Sequence, residues 1–503
     1  MGERPADAAA RPRRRALKGA SMLLIAASLI ATLVVAGGAV VSRGGQPASA
    51  PPATSPAAAT PFPPAAGCNY TLSLDGTTPV ARPASGARVV ARGTDAGSLI
   101  NSLLASHETI CVTPGEYILQ TDVEVRRLDG VTLDLAPGAV MRSTTGSGDL
   151  LVFASSGTVV EGGEWVGFGR GRESAIRIQH GSNGTVIQGT QVTRSGRDGV
   201  LVYDNTGTSY GVSILGDLLH GNTRFGVQVF SNRSTGPTGT TISGDVATDN
   251  GVGGIYTNGV EGVSIVGNVV ANSEGNGPGE IGIGVTNGGN DTVSMNEVEN
   301  MSWFGIQAYY NNHTVISYNI SMDNRGSEDQ SGITNDHSSF DTIVGNSVEQ
   351  NGDYGVYLER SWNVTVDGNV ATHNGGYGIG LYHGSLPAMG RATISGNNCS
   401  FNGKGGIILN SAVDNVISGN RCYDNSGYGI LLYNDPGQEG STGNLVFGNW
   451  LGNEGNAPHP QSYGIGEANA SYGNTIVSNV FLNNTESAVL LVGGDGADPR
   501  PGP

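Results

Sequence analysis

The clearest pattern of hydrophobic and polar positions lies between Asn346 and Ser385. It reads NSVEQNGDYGVYLERSW and then NVTVDGNVATHNGGYGIGLYHGS, one pattern stated almost twice. A Gly-Asn step is followed by a short apolar pair and an Asn-Gly turn. Tyr-Gly-Val or Tyr-Gly-Ile then opens a second apolar segment. Asn346 returns as Asn369 and Gly355 as Gly378, both after 23 residues. The residue closing the step falls at Asp217, Asp245, Asn268, Asn296, Asn319, Asn346, Asn369, Asn397, Asn420, Asn449 and Asn479. The Gly opening the second segment recurs from Gly199 to Gly464, mostly at gaps of 23, 27 or 28 residues. A period of this size marks a stacked repeat array.

The apolar segments are a few residues long and rich in β-branched residues, as in TIVGN, TVDGN and TISGN. Helices need longer runs, so these are strands. Strands this short cannot bury a face alone, but stacked coils can, each strand pairing with its copy about 4.8 Å away. Gly and Asn accept the positive φ that sharp corners require, and Asn in one register can stack into a hydrogen-bonded ladder. The Leu-x-x-Leu-x-Leu signature of leucine-rich repeats is absent. The pattern predicts an all-β chain folded as a right-handed parallel β-helix (solenoid) over residues 68–492. A short N-terminal helix over Asp95–Ala105 is expected to cover its open end.

Upstream of the array the pattern changes. Residues 1–19 hold a basic cluster with Arg11, Arg13, Arg14 and Arg15, and residues 20–41 are uncharged and apolar. At about 1.5 Å per residue this run is long enough to span a bilayer. The basic side stays cytoplasmic, which places everything after Val41 outside. A signal anchor is the first reading and a cleaved signal peptide the alternative. The Pro/Ala-rich residues 42–67 read as a stiff spacer, and the tail 493–503 as disordered. Four cysteines in an exported chain invite disulfides. Cys399 and Cys422 share a register, so they stack either as a disulfide or as two buried thiols. Cys68 and Cys111 are placed to tie the N-terminal segment to the first coil.

The net charge of −17 disfavours nucleic acid as a partner. No zinc quartet, EF-hand loop or phosphate cradle is present, so no metal or other cofactor is expected, and calcium has no motif to support it.

Candidate chemistry emerges from the register. After each marker Gly, positions +1 and +3 are apolar and face the core, whereas +2 and +4 face out. Positions +4 and +5 give Tyr309–Tyr310, Asp336–His337, Glu359–Arg360 and Tyr382–His383 in four consecutive coils. The flanking coils carry the blander Thr286–Asn287 and Asn410–Ser411. Asp336 and Glu359 are like charges in one register, which destabilises a sheet unless a cation or a raised pKa compensates. His337 is a candidate base and Arg360 a cation able to grip a carboxylate. The tyrosines offer stacking surfaces or phenolic acids. The bland alternative is a solvated polar ladder, as on most β-helix exteriors. The insertion RGSEDQ before Ser331 is a candidate groove rim, while His313 and His373 read as surface turn residues.

The Pro-Gly-x-Tyr step at Pro114–Tyr117 resembles the start of pectate-lyase-like β-helix proteins. The Gly-Asn and Tyr-Gly-Ile repeats over roughly residues 90–490 resemble those of polysaccharide lyases and mannuronan C5-epimerases. Asn335-Asp336-His337 with Arg360 one coil later is similar to the epimerases' Asp-Pro-His motif and its following Arg. Asn-Asp stands here where that family has Asp-Pro. The resemblance implies that His337 abstracts the sugar C5 proton and that Arg360 neutralises the uronate carboxylate. Three functions stay open: a lyase or epimerase acting on polysaccharide, a glycoside hydrolase using Asp336 and Glu359, and a non-catalytic β-helix that binds a cell-envelope glycan.

Overall fold

The computed structural model describes residues 67–491 except positions 85, 87, 147–148, 206–208, 233–236, 273–279, 326–329, 383–389, 436–437, 456–459 and 470. All of these belong to the second of two compact units, Pro61–Pro503; the first, Met1–Thr60, lies outside them. The expected basic tail, the membrane span at 20–41, nearly all of the spacer and the tail 493–503 therefore fall outside the described residues. Among the described residues no helix is long and apolar enough to cross a membrane.

Most coils contribute two short strands and one longer one. A central coil uses Thr342–Val344, Ser347–Glu349 and Val356–Glu359. The longer strands stack, all parallel, into a 15-stranded sheet. The short ones build a 27-stranded sheet and a 3-stranded sheet around the remaining sides. The result is a right-handed parallel β-solenoid. Its core is the stack of +1 and +3 side chains, such as Val356, Leu358, Ile379 and Leu381, all buried. The N-terminal edge departs from the parallel rule, since Tyr70–Asp75 pairs antiparallel with Thr78–Pro83 and parallel with Thr109–Val112.

The helix at this end is shorter than the expected 95–105 and covers Ala96–Asn101, with Leu99 and Ile100 in the core. Asp95 caps it, accepting from the Gly97 and Ser98 amides. Burial opposes ionisation of Asp95, but hydrogen bonds from Ser98, Gln120 and Thr121 outweigh it and lower its pKa to about 2.

Register is fixed by a side-chain ladder. Asn268, Asn296, Asn319, Asn346, Asn369, Asn397, Asn420 and Asn449 each donate Nδ2–H to the next asparagine's Oδ1 at 2.9–3.0 Å. The same Nδ2 also donates to a backbone carbonyl of the previous coil, as Asn346 does to Ile316 at 3.0 Å. Each buried amide thus finds partners above and below, which is what makes its burial tolerable.

The corners were expected to rely on Gly and Asn, yet many hold larger residues at positive φ, including Tyr310, His337, Phe340 and Arg360. Stacked hydroxyls help to hold these corners. Ser338 Oγ donates to the Asp336 carbonyl at 2.9 Å, and Ser361 Oγ to the Glu359 carbonyl at 3.0 Å.

Of the two cysteine pairs, Cys68–Cys111 is a disulfide with Cα atoms 5.7 Å apart. Cys399 and Cys422 are free and fully buried, which corrects the disulfide reading in favour of stacked thiols. Burial first, and the neighbouring Cys399 second, push the Cys422 thiol up. Both native thiols should resist a water-soluble thiol reagent and react only after denaturation. Fast labelling of the folded chain would contradict this packing.

Two aspartates begin the ladder. Asp245 accepts the Asp217 amide and donates its own amide to Asn268. Burial, then the nearby Asp217, pushes Asp245 up to about 9, and burial pushes Asp217 up to about 7. A folded-state pKa above the unfolded value stabilises most at low pH. That contribution is present below the ordinary carboxyl value of 3.8 and lost as pH rises through about 9. Asp245→Asn should therefore raise stability at pH 8 by about 1–3 kcal/mol and flatten its fall with pH. Thermal denaturation across that range provides the check.

Candidate functional site

Four strands of the 15-stranded sheet carry the candidate cluster: Phe304–Tyr309, Ile333–Asp336, Val356–Glu359 and Tyr377–Tyr382. Register places Tyr309, Asp336, Glu359 and Tyr382 in one column, as the repeat predicts. Tyr310, His337 and Arg360 follow them at the corner, with φ of 48°, 49° and 47°. Backbone bonds stack this corner tightly, with His337 N–H donating to the Glu359 carbonyl at 2.9 Å and Arg360 N–H to Tyr382 at 2.8 Å. Behind the column, the buried Asn335 amide donates to Asp341 at 2.7 Å and braces the turn that bears His337.

The side chains converge on one imidazole. His337 Nδ1 lies 2.5 Å from Asp336 Oδ1, and Arg360 Nη1 is 3.5 Å from His337 Nε2. The Tyr310 ring stacks on His337 with centroids 4.6 Å apart and an interplanar angle of 26°. Tyr309 meets Tyr310 edge-on at 4.6 Å. Arg360 also lies 3.8 Å from Glu359. The like-charged column is thus compensated by two cationic or cationisable partners. Burial pushes Asp336 above its ordinary value, while His337 and Arg360 oppose that rise. Burial, Tyr310 and Asp336 raise Tyr309, so it stays a neutral phenol.

Tyr382 closes the column on the far side. Its hydroxyl accepts from Gln438 Nε2 at 2.8 Å. His383 and positions 326–329 of the expected rim at 325–330 lie outside the described residues.

One feature was misread from the repeat. The +2 positions point away from the core, yet Gln307, Thr334, Ile408 and Leu431 are buried. Tyrosines preceding the marker glycines cover this outer face. Ile408, Leu431 and Tyr428 form a second apolar cluster, against which Tyr354, Tyr377 and Tyr463 pack. A cleft of about 270 Å³ opens there beside Tyr382, floored by Gly380 and Ile408. The signal was visible in Tyr354-Gly355, Tyr377-Gly378, Tyr428-Gly429 and Tyr463-Gly464, where it reads as fold punctuation.

Two family models match the sequence. Residues 320–494 match one described as periplasmic copper-binding protein (NosD), and residues 218–354 match right handed beta helix region. No curated protein matches. Among solved structures, the AlgE6 A-module of Azotobacter vinelandii mannuronan C-5 epimerase is 16% identical, with TM-score 0.41, covering 80% of this chain and 93% of that one. The periplasmic alginate epimerase AlgG is 14% identical, with TM-score 0.32 and coverages of 77% and 78%. The Dettilon tailspike protein (gp208) is 16% identical, with TM-score 0.40; this chain is covered over 68% and spans 60% of that one. None of these likenesses decides a reaction.

The described residues offer no grouped ligand set for copper. Among the described residues no group of three or more His, Cys, Asp or Glu is placed to hold a metal ion. The two free thiols, Cys399 and Cys422, are sealed in the core, and burial holds Cys422 as a thiol.

Gly380 shapes the cleft, because a Cβ there would lie 2.5 Å from Tyr354 Cε1. Gly380→Ala should displace the Tyr354 ring and cost about 1–3 kcal/mol by overpacking. Chemical denaturation and a structure of the variant would test both effects.

Proposed function

We propose that the chain is a uronate-polysaccharide lyase or C5-epimerase. The observation carrying this reading is the meeting of a base and a carboxylate-binding cation at one ring atom, His337 Nε2. A sugar carboxylate paired with Arg360 presents its α-carbon, C5, to that nitrogen. Asp336 on Nδ1 fixes the tautomer that leaves the Nε2 lone pair available, and it stabilises the imidazolium once the proton is taken. The electron pair of the broken C5–H bond moves into the carboxylate as an enediolate, whose charge Arg360 offsets. Two outcomes follow. Expulsion of the C4 oxygen forms a C4–C5 double bond, the leaving group taking a proton from a phenol. Reprotonation of C5 from the opposite face instead inverts it. Tyr309, held neutral, is the first candidate acid, and Tyr382 the second.

The hydrolase reading is less well supported, because Asp336 is engaged with His337 and Glu359 lies beside Arg360. A non-catalytic glycan-binding role draws its support from the tyrosine-lined cleft. We further propose that the body is exported and tethered through residues 20–41. The Cys68–Cys111 disulfide supports an oxidising compartment.

A screen of uronate polysaccharides, read by ultraviolet absorbance for unsaturated ends and by NMR for C5 inversion, tests the proposal. His337→Ala and Arg360→Ala should each lose at least about 100-fold in turnover. Turnover unchanged in both variants would sink the reading. Activity should also fail at low pH, with an acid limb above the ordinary carboxyl value of 3.8, because burial raises Asp336 and neutralises that carboxylate early. An acid limb at or below that value would contradict the role given to Asp336.

A further inference from the structure

The cleft beside Tyr382 differs in chemistry from the His337 corner. One wall is aromatic: the Tyr354 and Tyr357 rings stack 4.6 Å apart at 21°, and Tyr354 lies across the side-chain-free Gly380. The opposite wall is polar and fixed in place. Asn410 Nδ2 donates to Asp435 Oδ2 at 3.0 Å, and the Asp435 amide donates to Asn410 Oδ1 at 3.2 Å. The Tyr382 hydroxyl, held by Gln438 from two coils further along, adds a phenol to the polar side. No Lys, Arg or His lines this cleft among the described residues, and its one charged group is Asp435.

A flat apolar wall facing an amide, a carboxylate and a phenol complements a pyranose ring, which offers one C–H face and a rim of hydroxyls. The Asp435 carboxylate disfavours a uronate here, in contrast to the Arg360 corner. Register sets the distance between the two places. Glu359, neighbour of Arg360, pairs with Tyr382, and Tyr382 pairs with Asn410. Tyr382 is therefore one coil from Arg360, and the polar wall of Asn410 and Asp435 two to three coils, at about 4.8 Å per coil. A glycan lying along the solenoid axis with its uronate on Arg360 places a nearby sugar of the same chain in the cleft.

We infer that this cleft is a neutral-sugar subsite, and that the substrate is a mixed glycan in which a neutral hexose lies close to a uronic acid. The uronate half of the inference rests on the function proposed above; the neutral-sugar subsite does not. A mixed glycan also carries less charge than a polyuronate, which suits a chain of net charge −17.

Calorimetric titration of the full chain in a non-glycoside detergent separates the two parts. The neutral probes are cellohexaose, mannohexaose and chitohexaose; the acidic probe is hexagalacturonate. At least one neutral hexasaccharide should bind, and Tyr357→Ala should weaken it by about tenfold. Tyr357→Phe, which keeps the stacking face, should restore binding, and Arg360→Ala should leave it unchanged. No neutral binding at millimolar concentrations would overturn the inference. So would neutral binding indifferent to Tyr357→Ala, or hexagalacturonate competing for the Tyr357-dependent site. Turnover insensitive to His337→Ala, with Tyr357-dependent neutral binding intact, would instead remove the catalytic proposal and leave the subsite standing.

Discussion

The buried asparagine ladder is the constraint on which the rest of this structure depends. Successive rungs are separated by 23, 27, 28, 29 or 30 residues, yet the Nδ2···Oδ1 distance hardly changes. A buried amide left without its partner costs more than most local distortions, so the chain absorbs length differences in its loops. The strands keep their columns whatever the loops do. Any property repeated at one position of the coil therefore becomes a line on the surface.

The candidate site is such a line. Tyr309, Asp336, Glu359 and Tyr382 occupy one column by strand pairing alone, and the next column bends at positive φ through Tyr310, His337 and Arg360. Like charges in neighbouring rungs would oppose stacking, but each carboxylate meets a neighbouring imidazole or guanidinium. The same geometry makes the outer face of the sheet a second packing layer. Where a +2 residue is Gly, as at Gly380, the ring from the previous coil lies across it and a cleft opens. Polar corner and aromatic cleft are thus two columns of one sheet, joined at Tyr382.

The burial of aspartates within the ladder shows how tightly this geometry is held. Asp245 takes an asparagine's place and is pushed up to about 9; it keeps the links through the backbone amides, while its Oδ2 makes no hydrogen bond. The neutral acid is the closer mimic of the amide, so the protein shifts the proton and keeps the register.

The repeat in the sequence determined the coil, the inward +1 and +3 positions, the asparagine ladder and the columns that gather Asp336, His337, Glu359 and Arg360. These follow from period and alternation, which strand pairing converts directly into neighbours. Tertiary structure decided what depends on side-chain direction. It put Asp336 on Nδ1 of His337 and Arg360 near Nε2, because rotamers at a corner answer to every neighbouring rung. It left Cys399 and Cys422 reduced although their spacing suited a bond, and it turned the tyrosines before the marker glycines over the outer face. A single coil of sequence states which residues share a column. Only the packed stack states which way each side chain turns, because that choice is made by contacts with the coils above and below.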